Sequence, residues 1–118
     1  MYRSYFTADA LENIKKLPKA LRNSLKDQFK KKIHVNPMVC SEPLSKPLDN
    51  FRRFHYGDYR VVYRVFENLK AVSVVGVGKK DRHHQSDLHK QLEVLARRGE
   101  LAAAVLHTLR SLTGSAKS

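Results

Sequence analysis

The chain predicts an α+β fold: an N-terminal strand and a helical hairpin packed on a predominantly antiparallel four-stranded sheet, followed by a C-terminal helical extension. Three observations lead there. From Phe51 to Val77, three runs of alternating apolar and polar residues are divided by Gly57-Asp58 and by a turn near Asn68. Between Leu11 and Ile33 the apolar residues recur at helical spacing instead, and that rhythm returns from Leu88 to Leu112.

In chain order, Tyr2 to Phe6 is short, weakly alternating and rich in β-formers, which suits an opening strand. Thr7 or Asp9 can cap a first helix carrying Leu11, Ile14 and Leu17; Pro18 ends it and starts a second with Leu21, Leu25, Phe29 and Ile33. The outer side of this hairpin carries Lys15, Lys16, Lys19, Arg22, Lys26, Lys30, Lys31 and Lys32, a solvated face or an auxiliary phosphate contact. Asn36 to Asp49, with Pro37, Pro43 and Pro47, reads as an ordered loop crossing to the sheet. Strands follow at Phe51–Tyr56, Tyr59–Phe66 and Lys70–Val77. A polar stretch, GKKDRHHQSD, then precedes one or two helices broken near Gly99, whose long apolar stripe caps the domain or meets a partner. Residues 1–90 make the main body, and 91–118 add a helical extension and a flexible tail to the same single domain.

One core is what 118 residues allow. A formal charge of +12 and a pI near 10.1 point to a polyanionic partner: RNA, DNA or an acidic protein segment. The chain has no apolar run near the roughly 18 residues of a membrane span and no signal-peptide core at its start, so a cytoplasmic protein without membrane contact is expected. Cys40, the only cysteine, rules out an intramolecular disulfide.

A hairpin at Gly57-Asp58 puts Arg53, His55, Arg60 and Arg64 on one face, with Phe54, Tyr56, Tyr59, Val61 and Tyr63 on the other. A turn centred on Asn68 and Leu69 pairs Phe66 with Ala71 and Arg64 with Ser73, so that Ser73, Val75, Val77 and Lys79 join the arginine face. Lys80, Arg82, His83 and His84 then leave the strand end in a loop. Cleaving a phosphodiester needs a base for the attacking 2′-hydroxyl, an acid for the departing 5′-oxygen and cations for the phosphorane. Histidines, arginines and lysines are the residue types that supply these. Gly76-Val77-Gly78-Lys79 lacks the spacing of a phosphate loop, and His83, His84 and His89 fit no recognised metal pattern, so neither a metal nor a cofactor is expected.

KPLDNFRRFHYGDYRVVYRV (Lys46–Val65) and VVGVGKKDR (Val74–Arg82) together resemble the RelE/ParE superfamily of bacterial toxins, over about residues 2 to 90. The resemblance implies a type II toxin-antitoxin toxin with a cognate antitoxin. On the favoured RelE branch it implies a ribosome-dependent mRNA endoribonuclease, and on the ParE branch a DNA gyrase inhibitor. A non-catalytic nucleic-acid-binding regulator is the remaining reading. Carried over by position, Arg60 stabilises the transition-state phosphate, Arg53 matches a basic position on the preceding strand, and Lys80 and Arg82 match basic catalytic positions; from the register, Arg64 and Lys79 are expected to join Arg53 in binding phosphate. No tyrosine follows Tyr63, so the acid/base role of a late Tyr or His is expected to fall to His83 or His84, with His55 as the other candidate.

Overall fold

The computed structural model describes residues 1–79 and 87–114. Its elements are β1 (Arg3–Phe6), α1 (Ala8–Lys15), α2 (Lys19–Gln28), β2 (Glu42–Pro43), β3 (Arg52–Tyr56), β4 (Tyr59–Phe66), β5 (Ala71–Lys79), α3 (Asp87–Arg97) and α4 (Glu100–Gly114). The sheet order is β1-β5-β4-β3-β2, with β1 parallel to β5 and every other pair antiparallel. Five strands replace the expected four. The addition is β2, in the stretch that the prolines mark as loop, and Pro43 is tolerated there because the strand lies at the sheet edge.

Thr7 caps α1, its side-chain oxygen accepting from Ala10 N–H at 3.2 Å. After Pro18, α2 continues into a π turn, Phe29–Ile33, in which His34 N–H reaches back to the Phe29 carbonyl. The inner sides of α1 and α2 bury Ala10, Leu25, Phe29 and Ile33 against Phe54, Val61, Tyr63, Val72, Val74 and Val77 of the sheet. At the hairpin, Gly57 takes a φ of +57° while Asp58 does not have a positive φ, the pattern of a II′ turn with glycine first. Between β4 and β5 a 3-10 turn, Glu67–Leu69, ends on left-handed Lys70. Phe66 then pairs with Ala71 and Arg64 with Ser73, as the sequence predicts.

The second face of the sheet departs from expectation. Beyond Tyr63↔Val74 the next pair is Val62↔Gly76, so Val75 is an extra residue and the register moves by one. Gly76 and Gly78 therefore share the face of Val62 and Arg60, while Val77 and Lys79 pair with Val61 and Tyr59 and take the opposite face. This corrects the expected placement of Val77 and Lys79 beside the arginines. Much of the arginine face is also a second core, formed by Val62 and Val75 with Leu44, Leu48 and Phe51 from the connection and Leu92, Leu101 and Val105 from α3 and α4. The glycines let α3 approach. A Cβ on Gly76 would lie 2.5 Å from Leu88 Cδ1, and one on Gly78 would lie 3.1 Å from Leu88 Cβ. α4 is tied down at Ser73, whose buried hydroxyl lies 2.9 Å from that of Thr108. Gly99, at φ +76°, separates the two helices. Among the described residues no helix is long and apolar enough to cross a membrane.

Candidate phosphate-binding site

The arginines of the second face lie toward the Gly57-Asp58 turn. There β3 and β4 pair Arg53 with Val62 and His55 with Arg60, so both arginines and the histidine share one side of the ladder. Gly78 is the cross-strand partner of Arg60 from β5 and adds no side chain to crowd it. The Nε of Arg53 and the Nε of Arg60 are both buried without a hydrogen-bond partner among the described residues. Burial first, and then the charge of Arg53, pulls the Arg60 guanidinium below its ordinary pKa. It stays protonated at neutral pH, so two cations stand close together with donors unspent. An anion between them would satisfy those donors and screen their repulsion.

Glu42 completes the group. It stands opposite Arg53 across β2–β3, and its Oε2 accepts from Arg53 Nη2 at 3.0 Å. That hydrogen bond, then the Arg53 charge, and more weakly His55, hold the Glu42 carboxyl below its ordinary value against a small opposing effect of desolvation. Two staples position β2. Arg52 donates from Nε to Ser41 Oγ at 2.7 Å and from Nη2 to the Met38 and Ser41 carbonyls, while buried Tyr63 donates to the Pro37 carbonyl at 2.7 Å. Burial pushes the Tyr63 hydroxyl pKa up, so it remains a donor at any physiological pH. The sequence reading missed Glu42 because a two-residue edge strand carries no period. The available signal was an acidic residue beside proline, ten positions before the arginine strand.

The remaining candidates are dispersed. Arg64 shares the face of Arg60, but four residues separate them, roughly 13 Å along a strand; its guanidinium lies 4.8 Å from the Phe66 ring centroid. Lys79 is exposed and paired with Tyr59, away from the arginine pair. Lys80, Arg82, His83 and His84 lie outside the described residues.

Two concavities flank this arrangement. On the opposite side of the sheet, a groove of about 520 Å³ runs between α1 and α2, with an apolar floor including Phe6, Ile14 and Phe29 and a rim of Lys19, Arg22 and Lys26. A smaller cavity of about 290 Å³ opens near Arg64 at the end of β3.

Residues 5–84 match the sequence profile of a family described as the ParE toxin of the type II toxin-antitoxin system parDE; α3 and α4 follow the matched segment. A putative RelE-like toxin protein of Escherichia coli is 32% identical over 82 residues, covering 69% of this chain and 85% of the relative. The fold is similar to that in the toxin-antitoxin complex RelBE2 of Mycobacterium tuberculosis, with a TM-score of 0.63 and 23% identity over 67% of this chain and 98% of that one. It is also similar to the isolated E. coli RelE toxin, with a TM-score of 0.59 and 24% identity over 78% of this chain and 95% of the other.

Proposed function

The chain belongs to the RelE/ParE superfamily of type II toxin-antitoxin toxins, on its RelE-like side, and from that premise we propose that it is an mRNA endoribonuclease that works without a metal, acts with the ribosome in the cytoplasm and inhibits translation. The observation that carries this reading is the pair of neighbouring guanidinium groups with unspent Nε donors, set beside one carboxylate and one imidazole.

In the proposed reaction, Glu42 takes the proton of the attacking 2′-hydroxyl as its oxygen bonds to the adjacent phosphorus. The bond from phosphorus to the 5′-oxygen breaks, His55 delivers a proton to that oxygen, and a 2′,3′-cyclic phosphate remains. Arg60 and Arg53 stabilise the phosphorane, whose charge grows where their donors are already held. Lys80, Arg82, His83 and His84 keep the roles that the resemblance implies for them, with His83 or His84 as an alternative proton donor. A cognate antitoxin is the proposed protein partner, and the basic rim and apolar floor between α1 and α2 suit an acidic segment with one apolar face. Residues 1–90 and the extension of 91–118 are proposed to act as one domain.

The ParE description of the matching family supports a second reading, a non-catalytic toxin that binds DNA gyrase. Expression in bacteria separates the two. Growth arrest with codon-phased mRNA cuts that Arg60→Ala abolishes supports the nuclease, whereas DNA breaks and an SOS response with intact mRNA overturn it.

A further inference from the structure

The groove between α1 and α2 joins an open apolar floor to a row of cations without partners. Phe6 from β1, Ile14 from α1 and Leu25 from α2 meet Phe29 on that floor, where the Phe6 and Phe29 ring centroids are 5.7 Å apart. Leu11 beside them is 45% exposed, so the apolar surface is open to a ligand rather than closed by the chain itself. Along one wall, α2 and the π turn after it set Lys19, Arg22, Lys26 and Lys30 at helical spacing in a single stripe. No acidic residue is among those lining the groove, and the carboxylates nearest in sequence are engaged outside it, Glu12 by Lys15 and Asp27 by Lys31. We propose that this groove binds one free fatty-acid anion, its chain along the floor and its carboxylate on Arg22 and Lys26. The inference goes beyond the nuclease reading and does not rest on it; such a ligand would compete there with the antitoxin segment.

Size and shape select the occupant. The volume, about 520 Å³, falls within the range of small-molecule sites, about 300–1,000 Å³. Leu25 and Phe29 are buried at the floor, where a single alkyl chain can reach them and the flat surface of a bilayer cannot. Charge then fixes the direction of the chain. At the end formed by Ser4 and His34, the serine hydroxyl lies 2.7 Å from His34 Nε2. Burial, and then the charge of Lys30, lowers the His34 pKa, so the imidazole is uncharged at neutral pH and does not draw the carboxylate there. The cations of the α2 wall do. Arg22 is the guanidinium of that row and can hold a carboxylate through two parallel hydrogen bonds, with Lys26 one turn along the same stripe.

The test uses the complete chain with dodecanoate, octanoate and dodecyltrimethylammonium, each kept below its micelle threshold, in calorimetric titrations at constant salt and in NMR spectra of the isoleucine methyls. Dodecanoate is expected to bind one per chain, about a hundredfold tighter than octanoate, whose chain is shorter by four methylenes. Dodecyltrimethylammonium, with the same tail and the opposite charge, should bind at least about tenfold more weakly than dodecanoate. Of Ile14 and Ile33 only Ile14 lines the groove, and its δ1 methyl signal should move further with dodecanoate. Arg22→Gln/Lys26→Gln should weaken dodecanoate at least about fivefold, and Lys16→Gln/Lys32→Gln less than about twofold. All four residues are exposed, and the second pair removes the same charge outside the groove. Equal losses in the two variants, equal binding of the two dodecyl ions, or an unmoved Ile14 methyl overturns the site. Binding to phosphatidylglycerol vesicles with no response to monomeric dodecanoate overturns it in favour of a membrane surface. None of these readouts involves RNA, so groove binding and cleavage stand or fall separately.

Discussion

Glu42 and Arg53 face each other across the β2–β3 pair with Oε2 3.0 Å from Nη2, so the carboxylate proposed as base is held by one of the cations proposed to hold phosphate. Its pKa is depressed below the ordinary 4.5. The ionised carboxylate and its contact with Arg53 are therefore complete above that value and are lost only as pH falls through the lower folded value. Activity should persist into mildly acidic solution. Arg53→Ala removes the two largest causes of the depression and should move the acid limb of the pH-rate profile up toward 4.5. A carbon-detected NMR titration of Glu42 should show the same displacement without reference to activity. Glu42→Gln should slow cleavage by about 10²- to 10⁴-fold; an unaltered rate would remove Glu42 from the mechanism.

Arg60 bears an opposite relation to stability. Its Nε is buried without a partner among the described residues and it lies beside a like charge, so Arg60→Met, which keeps an apolar stem, should stabilise the fold by about 1 kcal/mol. The same change should lower the cleavage rate by about 10²- to 10³-fold. Inorganic phosphate should raise the melting temperature of wild type and leave that of Arg60→Met unmoved. A less stable Arg60→Met variant would mean that the guanidinium is satisfied after all.

Leu88 on Gly76 and Gly78 gives two substitutions with different remedies. Gly76→Ala meets Leu88 Cδ1 and Gly78→Ala meets Leu88 Cβ, and each should cost about 1–3 kcal/mol in denaturant unfolding. Adding Leu88→Ala removes the first obstacle but retains the second. Strong favourable coupling is expected for the 76–88 pair and weaker coupling for the 78–88 pair; equal coupling would place the conflict elsewhere.

Thr108 donates to the Val105 carbonyl at 2.7 Å, which leaves Ser73 as the donor in the 2.9 Å hydroxyl contact between β5 and α4. Thr108→Val strands that buried donor and should cost about 1–3 kcal/mol, whereas Ser73→Ala should cost about 1 kcal/mol or less. The combined variant should be more stable than the sum of the two predicts. Additive losses would show that the hydroxyls do not act as a pair.

The hairpin was legible because its determinants are local: Gly57-Asp58 fixes the pairing that brings His55 opposite Arg60, and strict alternation assigns the faces. The register of Arg64 with Ser73 was legible for the same reason. The bulge was not. Val74 and Val75 are both buried, one in each core, and a run of buried valines has no period from which an extra residue can be read. Lys79 was consequently assigned to the wrong face. The second core was hidden because Leu44, Leu48 and Phe51 are scattered through a proline-rich connection and meet Leu92 and Val105 only in space. Glu42 escaped notice because its neighbours hold it, through Arg52 on Ser41 and Tyr63 on Pro37, rather than any propensity of its own.

The groove between α1 and α2 and the Arg53–Arg60 pair lie on opposite sides of one sheet. Occupancy of one is therefore not exclusion from the other. A ligand that merely filled the groove would leave the guanidinium groups untouched, and a single molecule that silenced both would have to pass around the border of the sheet, at an outermost strand, β1 or β2, or at the strand ends beside the Gly57-Asp58 turn. On the β2 side its route would cross Glu42. Neutralisation of this protein by one continuous polypeptide is thus a question of reach around an edge as much as of affinity for either surface.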